Sequence, residues 1–246
     1  WALNNQAENL LLSELGLDDW EPDDPLTYEA TSSEAFSAGR LDAEYFHAKY
    51  RALETHLEAG TLCRRLQEFA EVTKGKTLSY SERGVPIIRS GDLSDISDSS
   101  RFLRAEACAD MFRLEARDVL ISSIGFGSIG KVQVFDKSQP HATVSEVTVV
   151  RQSVVNPYYL ATFLRSIGGQ LQIQRYITGA TGQLHLYPRD VGRFLIPMAE
   201  DGLQKRCEEA HVKSEKAREE SKALLEKAKR AVEIAIEHGE EAAGQY

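Results

Sequence analysis

The sequence predicts an α+β protein in which a β-rich domain lies between a shorter N-terminal helix and a long C-terminal helix of the coiled-coil type. Two observations carry this prediction. Short segments rich in Val and Ile, separated by Gly, Ser, Asp and Pro, fill the middle of the chain. After Gly202 neither proline nor glycine occurs before Gly239, and small or apolar residues recur there every seven positions.

Composition limits the class of protein. The chain has 246 residues, of which 42% are hydrophobic, enough for one large domain or for a medium domain with an extended element. No run of apolar residues approaches the length of a membrane span, and the N-terminus has no secretory layout. We therefore expect a cytoplasmic protein. Because the first residue is Trp1 rather than Met, we also expect further coding sequence upstream.

Cysteine and histidine give no sign of a metal centre. Cys63, Cys108 and Cys207 lie far apart and form no CxxC pair, and the six histidines are scattered. Metal sites need clustered ligands. We predict reduced structural thiols, no metal and no cofactor.

The net charge of -9 is unevenly distributed. Residues 1–60 hold 3 basic and 13 acidic side chains, and residues 201–246 hold 9 and 11. Residues 61–200 hold 17 basic and 14 acidic side chains, a net charge of +3. The middle of the chain is therefore compatible with a local nucleic-acid-binding face, although charge alone does not require one.

The N-terminal quarter predicts two helical segments. Residues 5–17 form a short leucine-rich helix within an acidic leader, residues 1–35, whose run 18–25 is an irregular linker. A second helix in residues 36–60 begins near Leu41 or Asp42, where Asp supplies a capping oxygen. Four apolar residues at steps of four, three and four give this helix one seam: Phe46, Tyr50, Leu53 and Leu57.

Residues 61–198 form the predicted β-rich domain. A helix interrupts it at Asn156, which can cap a helix with Pro157 at the first position. The predicted strands are 69–72, 85–89, 118–124, 131–135, 145–151 and 193–197.

The C-terminal segment, residues 199–239, predicts a helix about 55 Å long, followed by a tail, residues 240–246. One register of its heptads holds Leu203, Ala210, Ala217, Leu224 and Ala231, and the other includes Cys207 and Ala228. A continuous seam of this kind indicates packing along another helix, as in a spacer or dimerisation helix. The seam of the 36–60 helix is the candidate partner, and we expect that helix to pack either on the β-rich domain or on this long helix.

Two motifs resemble catalytic ones but lack the required context. Residues 125–132 match both the dinucleotide fingerprint GxGxxG and the kinase glycine loop, yet a strand-like segment follows instead of a helix, and no kinase catalytic loop occurs. These glycines predict a hairpin turn that exposes Lys131. Residues 156–159 resemble the NPPY tetrapeptide of amino-methyltransferases without its second proline, and helix capping explains them. The sequence therefore predicts a non-catalytic chain.

Several phrases in order resemble one half of the specificity subunit of type I restriction-modification systems. The resemblance covers most of residues 36–238, and departs from the usual plan of two recognition domains and two helices. The phrases are residues 40–46 with Lys49 and Tyr50, residues 66–77, residues 84–93, residues 118–122 with 129–132, residues 156–160, residues 178–186 and residues 194–198.

This resemblance implies a target recognition domain that reads double-stranded DNA, and a long helix that sets its distance from a second such domain. It implies methyltransferase subunits, and possibly an endonuclease subunit, as partners, with an identical chain joined antiparallel through the helices. Loop residues then become candidates for phosphate or base contacts: Lys74, Lys76, Tyr80, Arg83, Arg89, Lys131, Gln183 and His185.

Two other interpretations stay open at this point. The chain could be the C-terminal specificity module of a fused restriction-methyltransferase, for which a methyl-donor motif upstream in the same reading frame would be the sign. It could instead be a protein-protein scaffold built on the long helix, which predicts no salt-dependent DNA affinity.

Overall fold

The computed structural model describes residues 2–22, 25–97, 101–179 and 182–238. Trp1 and the predicted tail, residues 240–246, lie outside the described residues. The α-helices are α1 Ala2–Glu14, α2 Ser32–Ala38, α3 Ala48–Gly60, α4 Pro157–Arg165, α5 Ile167–Tyr176, α6 Pro188–Val191 and α7 Asp201–His238. The strands are β1 Cys63–Arg65, β2 Glu71–Lys74, β3 Tyr80–Ser81, β4 Val85–Ile88, β5 Arg104–Ala105, β6 Asp118–Ser122, β7 Val132–Phe135, β8 Ala142–Thr143, β9 Val147–Arg151 and β10 Leu195–Pro197. Short 3-10 turns cover Ala43–Phe46, Leu66–Glu68 and Ser90–Ser94.

The central sheet has the strand order β2-β9-β6-β7, and every neighbouring pair is antiparallel. All five residues of β6 are buried, because the sheet is covered on both faces. Val119 and Ile121 belong to the core that contains α4, whereas Leu120 belongs to a second core with Leu93 and Phe135. The unbroken apolar run in β6 follows from this two-sided burial, since alternate side chains of a strand point to opposite faces.

A smaller sheet with the order β3-β5-β4-β8 has a core of its own that includes Ile87 and Ala105, and Ile88 of its strand β4 belongs to the second core. Its β4 and β8 pair in parallel, with Ile87 opposite Ala142. A third pairing joins β1, the first strand of the β-rich domain, to β10, the last strand before α7. The domain entrance at β1 and its exit at β10 are therefore neighbours.

The predicted helix in residues 36–60 is shorter than expected. A 3-10 turn replaces its first part, and α3 starts at Ala48 because the ring Nδ1 of His47 accepts a hydrogen bond from the backbone N–H of Lys49 at 3.3 Å. Its seam is buried as predicted at Tyr50, Leu53 and Leu57.

Of the two partners considered for that seam, the β-rich domain covers it, and the pairing with the long helix is not formed. The seam packs on α5 and β10, while α7 packs on α1 and α4. Helix α5, which supplies the missing surface, is not indicated by the sequence pattern. At Gly169 an added Cβ would lie 2.3 Å from the Cα of Leu164, so glycine permits the close contact between α5 and α4.

The long helix is confirmed, but its seam divides into two parts. Leu203, Cys207 and Ala210 are buried against the rest of the domain. Beyond Ser214 the same registers are exposed at Ala217, Leu224 and Ala228, and half-buried at Ala231. The seam of the first part of α7 is thus covered by the domain, and the seam of the second part is not. Among the described helices, none combines the length and apolar character that crossing a membrane requires.

Candidate nucleic-acid interface

One end of the central sheet collects loops from distant parts of the sequence. In the strand register Lys74 lies opposite Thr148, and Ile121 lies opposite both Thr148 and Val132. Therefore β2 and β6 end where β7 and β9 begin. We call this end the loop surface. It contains residues 74–77, the glycine loop (residues 123–131), Glu146, the Ser90–Ser94 turn and the described part of the late loop (residues 177–187).

Backbone hydrogen bonds hold the late loop against the glycine loop. The N–H of Leu186 donates to the carbonyl of Ser123 at 2.9 Å, and the N–H of Gly125 donates to that of Leu184 at 3.4 Å. Within the late loop, His185 and Thr178 exchange two backbone hydrogen bonds of 2.8 and 2.9 Å. Gln183 and His185 are consequently carried to the end of β6, as the DNA-binding prediction requires.

The Ser90–Ser94 turn is tied to the same place by side chains. The hydroxyl of Ser90 donates to the carbonyl of Glu146 at 2.9 Å, and the ammonium of Lys131 donates to the hydroxyl of Ser94 at 2.8 Å. The glycine loop joins antiparallel β6 and β7, so the predicted turn is confirmed. Lys131 itself is half-buried by its contact with Ser94, rather than fully exposed.

The basic candidates differ in whether their charged groups already form ion pairs within the protein. Lys74 and Lys76 are exposed at the end of β2, where Gly75 packs so tightly that an added Cβ would lie 2.4 Å from the carbonyl oxygen of Val144. The guanidinium of Arg89 lies 3.3 Å from the carboxylate of Asp92. The hydrogen bond that the guanidinium donates to Asp92 raises the pKa of Arg89. The two lysines are therefore the least engaged cations of this surface.

Tyr80 and Arg83 belong to the smaller sheet. Tyr80 is 57% exposed on β3 and lies near Arg89. Arg83 is exposed in the turn between β3 and β4, and the described hydrogen bonds do not connect its side chain to the loop surface. The structure thus groups seven of the eight predicted residues at or beside one surface and leaves Arg83 on a separate turn.

Comparison with solved structures shows which fold this is. The S subunit of the type I restriction-modification system from M. genitalium aligns with 71% of the chain at a TM-score of 0.51 and 16% identity. A chain from a structure of the type I restriction-modification system aligns with 97% of it at a TM-score of 0.50 and 15% identity. The chain has the S-subunit fold.

The alignments cover 44% and 54% of those two chains, so this chain spans about half of their length. No protein-family model matches the sequence. No curated protein matches it either. The α+β class with a long C-terminal helix, predicted from heptads and short strands, is confirmed.

The S-subunit fold places further side chains at the loop surface that the sequence analysis missed. Phe126 is 83% exposed at the tip of the glycine loop. The ring of Tyr187 stacks on that of His185 at a centroid distance of 5.9 Å, and the guanidinium of Arg189 lies 5.4 Å from the Tyr187 ring. A phenylalanine between two glycines in a predicted turn is a signal that was available, because glycine neighbours supply no side chain to cover it.

Among the described ranges, no group of three or more His, Cys, Asp or Glu side chains is placed to hold a metal ion. The chemistry that this surface offers consists of ammonium and guanidinium groups, amides and exposed rings. These groups contact phosphates and base edges in protein–DNA complexes.

The loop surface is linked to α7 in this S-subunit fold. Asp95, directly after the Ser90–Ser94 turn, lies 2.9 Å from the ammonium of Lys222 and 3.1 Å from the guanidinium of Arg218. Ser97 also donates to Asp95, at 2.6 Å. A short path of contacts therefore runs from Lys131 through residues 94 and 95 to the exposed part of α7.

The carboxylate of Asp95 predicts a pH dependence. Partial burial would raise its pKa, but the hydrogen bonds from Ser97 and Lys222 and the charge of Arg218 outweigh burial and hold the pKa below its ordinary value. A lowered folded-state pKa means that the stabilisation is complete above the unfolded carboxyl pKa, about 3.9, and is lost as pH falls further.

We expect Asp95→Asn to lower the free energy of unfolding at pH 7 by up to about 1 kcal/mol, since the site is partly exposed and screened by solvent. Urea unfolding at pH 7 and at pH 3 checks this. The difference between the wild type and the variant should shrink at the lower pH. Asp110→Asn, at an exposed position without these cations, is the control and should change stability little. An equal difference at both pH values would contradict the role of the carboxylate.

Proposed function

We propose that this chain reads DNA sequence as the specificity component of a type I restriction-modification complex. It directs partner adenine methyltransferase and endonuclease subunits to a bipartite site and catalyses neither reaction itself. The observation that carries the proposal is the convergence of cations, an amide and rings from three segments, residues 74–77, the glycine loop and the late loop, on one end of a domain with the S-subunit fold.

The loop surface supports base reading because hydrogen bonds hold the backbone of its loops in place. Hydrogen bonds of about 3 Å join the late loop, the glycine loop and Glu146. To read a sequence, side chains must meet the same base edges each time. Contacts with phosphates provide this, because they fix the position of the protein along the duplex. In this proposal Lys74 and Lys76 contact phosphates, while Gln183 and His185 contact base edges.

The exposed part of α7 supports the bipartite site. Its large exposed side chains are Leu224, Leu225, Val232 and Ile236. A second helix can cover such residues, and a second copy of this chain placed antiparallel would hold two recognition domains at a fixed separation. A two-part palindromic site follows from that symmetry. The same helix face is also available to a methyltransferase subunit.

The first experiment is selection from random duplex DNA, with the chain alone and with the methyltransferase encoded next to it, after light scattering has measured the species present. We expect a dimer or a methyltransferase complex that enriches a split motif. A species that enriches no sequence, and whose DNA affinity does not change with salt, would overturn the proposal in favour of a protein scaffold.

The phosphate contacts give a quantitative prediction. Lys74→Ala with Lys76→Ala should weaken binding to all sequences about equally, by roughly tenfold, and lower the slope of log affinity against log salt by about 1.8, since each contact contributes about 0.9. Fluorescence anisotropy at several salt concentrations measures both quantities. Lys205→Ala with Lys213→Ala, at exposed positions on α7, makes the same charge change away from the loop surface. An unchanged slope in the first pair would exclude these contacts.

A further inference from the structure

The side chain of Phe126 lies outside the hydrophobic cores that the described residues form. It is 83% exposed, although moving an aromatic ring out of water lowers the free energy. It stands at the tip of the glycine loop, on the loop surface, and its neighbours in the chain are Gly125 and Gly127. An exposed ring at this place is available for an apolar contact with a ligand.

The glycine loop holds the backbone of Phe126 in a defined conformation. Gly125 and Gly127 have φ values of 112° and 77°, which other residues rarely adopt. The N–H of Ile129 donates to the carbonyl of Gly125 at 3.0 Å, and the hydroxyl of Ser128 donates to that of Ile124 at 3.2 Å. These bonds close the tip of the loop on both sides of Phe126.

The base of the glycine loop is anchored to the domain. The side-chain amide of Gln170 donates to the carbonyl of Gly130 at 3.1 Å, and the N–H of Gly130 donates to the carbonyl of Ser122 at 2.9 Å. Ile129 packs against the main core. The conformational entropy of the loop is therefore lost when the domain folds, and ligand binding does not have to order the loop.

The surroundings of Phe126 indicate the kind of ligand. With glycine on both sides, the ring projects alone, and a Cβ added at Gly127 would meet no protein atom within 4 Å. Lys131 follows in the same loop, and Lys74 and Lys76 lie at the same end of the sheet. An exposed ring on a surface that also has lysine side chains is poorly matched to an apolar protein groove. It is well matched to the space between stacked bases, which are apolar on their faces and bordered by phosphates.

We infer that Phe126 is a wedge that inserts between two adjacent base pairs of the bound duplex, partly unstacks them and kinks the DNA. The inference rests on the proposed function and deepens it. Insertion reads the sequence through the cost of unstacking, which is lowest at pyrimidine–purine steps such as TA and CA. We therefore expect Phe126 to insert at a pyrimidine–purine step.

The test uses the duplex that the wild-type protein selects, with 2-aminopurine substituted at each purine in turn and with dyes at both ends to report bending by energy transfer. The wild type should raise 2-aminopurine fluorescence severalfold at one step and shorten the end-to-end distance. Phe126→Ala should abolish both signals and weaken binding about tenfold, the range expected from loss of one base–aromatic contact. Phe126→Leu should keep part of each, because leucine also serves as a wedge.

Phe36→Ala is the matched control, because Phe36 is also a phenylalanine, is 85% exposed and lies on α2. It should leave binding, fluorescence and bending at wild-type values. A Phe126→Ala protein that binds more weakly while the 2-aminopurine and bending signals persist would overturn the wedge in favour of a surface contact. Wild-type selection of a motif without any unstacked step would overturn it as well. Failure of the wild type to select any sequence would instead overturn the proposed function, so the two failures are distinguishable.

Discussion

Replacement of Asp118 by alanine is expected to lower the free energy of unfolding by about 3–5 kcal/mol, the cost of breaking a buried ion pair from one side. Asp118 is 1% exposed at the start of β6. Its two carboxylate oxygens accept from the Nε and Nη2 atoms of Arg151 at 2.8 and 2.7 Å, and one of them also accepts from the N–H of Glu115 at 2.8 Å. Alanine would leave these donors without their acceptor at a position where the carboxylate is almost fully buried.

The pair joins two neighbouring strands of the central sheet, since Arg151 ends β9. Charge-assisted, two-pronged contacts of this kind are stronger than neutral hydrogen bonds. Arg151 has further acceptors in the side chain of Glu115 and the carbonyl of Arg113, at 2.8 and 2.9 Å. For that reason the loss should stay within the stated range rather than unfold the protein completely.

Chemical unfolding of Asp118→Ala, Arg151→Ala and the double variant measures this effect. We expect the double variant to be clearly more stable than the sum of the two single losses predicts, because the second substitution removes the uncompensated charge. The pair lies at the opposite end of the sheet from the loop surface, since Asp118 is paired with Phe135 and Arg151 with Glu71. The folded fraction of each variant should therefore retain wild-type DNA affinity. A loss below 1 kcal/mol for Asp118→Ala would contradict the argument.

Gly169→Ala is expected to lower the free energy of unfolding by about 3 kcal/mol, at the upper end of the usual cost of overpacking. The added Cβ would lie 2.3 Å from the Cα of Leu164 and 2.5 Å from its carbonyl oxygen. Both are backbone atoms, so no side chain can rotate away. The two helices α4 and α5 must separate, and α4 is buried along nearly its whole length.

Gly60→Ala is the matched control. Gly60 ends α3, and an added Cβ there meets nothing within 4 Å. Alanine reduces the conformational entropy of the unfolded chain, so this variant should be unchanged or slightly more stable. Thermal and urea unfolding of both variants provide the measurement. A Gly169→Ala protein within about 1 kcal/mol of the wild type would show that the α4–α5 contact adjusts without cost.

Features that depend on neighbours in sequence were predicted well. The side chain of Asn156 accepts the N–H of Tyr158 at 2.9 Å with Pro157 at the first helical position, as the capping pattern indicated. The limits of α7 were predicted because helix breakers bracket a long helical pattern. The strand β2 is displaced by two residues, Glu71–Lys74 instead of 69–72, because a 3-10 turn at Leu66–Glu68 occupies the preceding segment.

Features that depend on partners distant in sequence were not predicted. The seams of α3 and α7 matched each other in period, yet the helices pack on other elements. Periodicity identifies an apolar face but contains no information about what covers it. The same limit explains α7, where identical heptad positions are buried at Leu203 and exposed at Leu224, because the domain ends between them.

For the candidate site, the sequence by itself determined which residues have the chemistry to contact DNA, because charge, amide groups and turn-forming glycines are properties of the residues. Only the tertiary structure decided which of them meet. The contact of Lys131 with Ser94 spans 37 positions, and the exposure of Phe126 depends on what folds around its loop. The grouping of these residues depends on strand register and burial, which arise from long-range packing that no local pattern records.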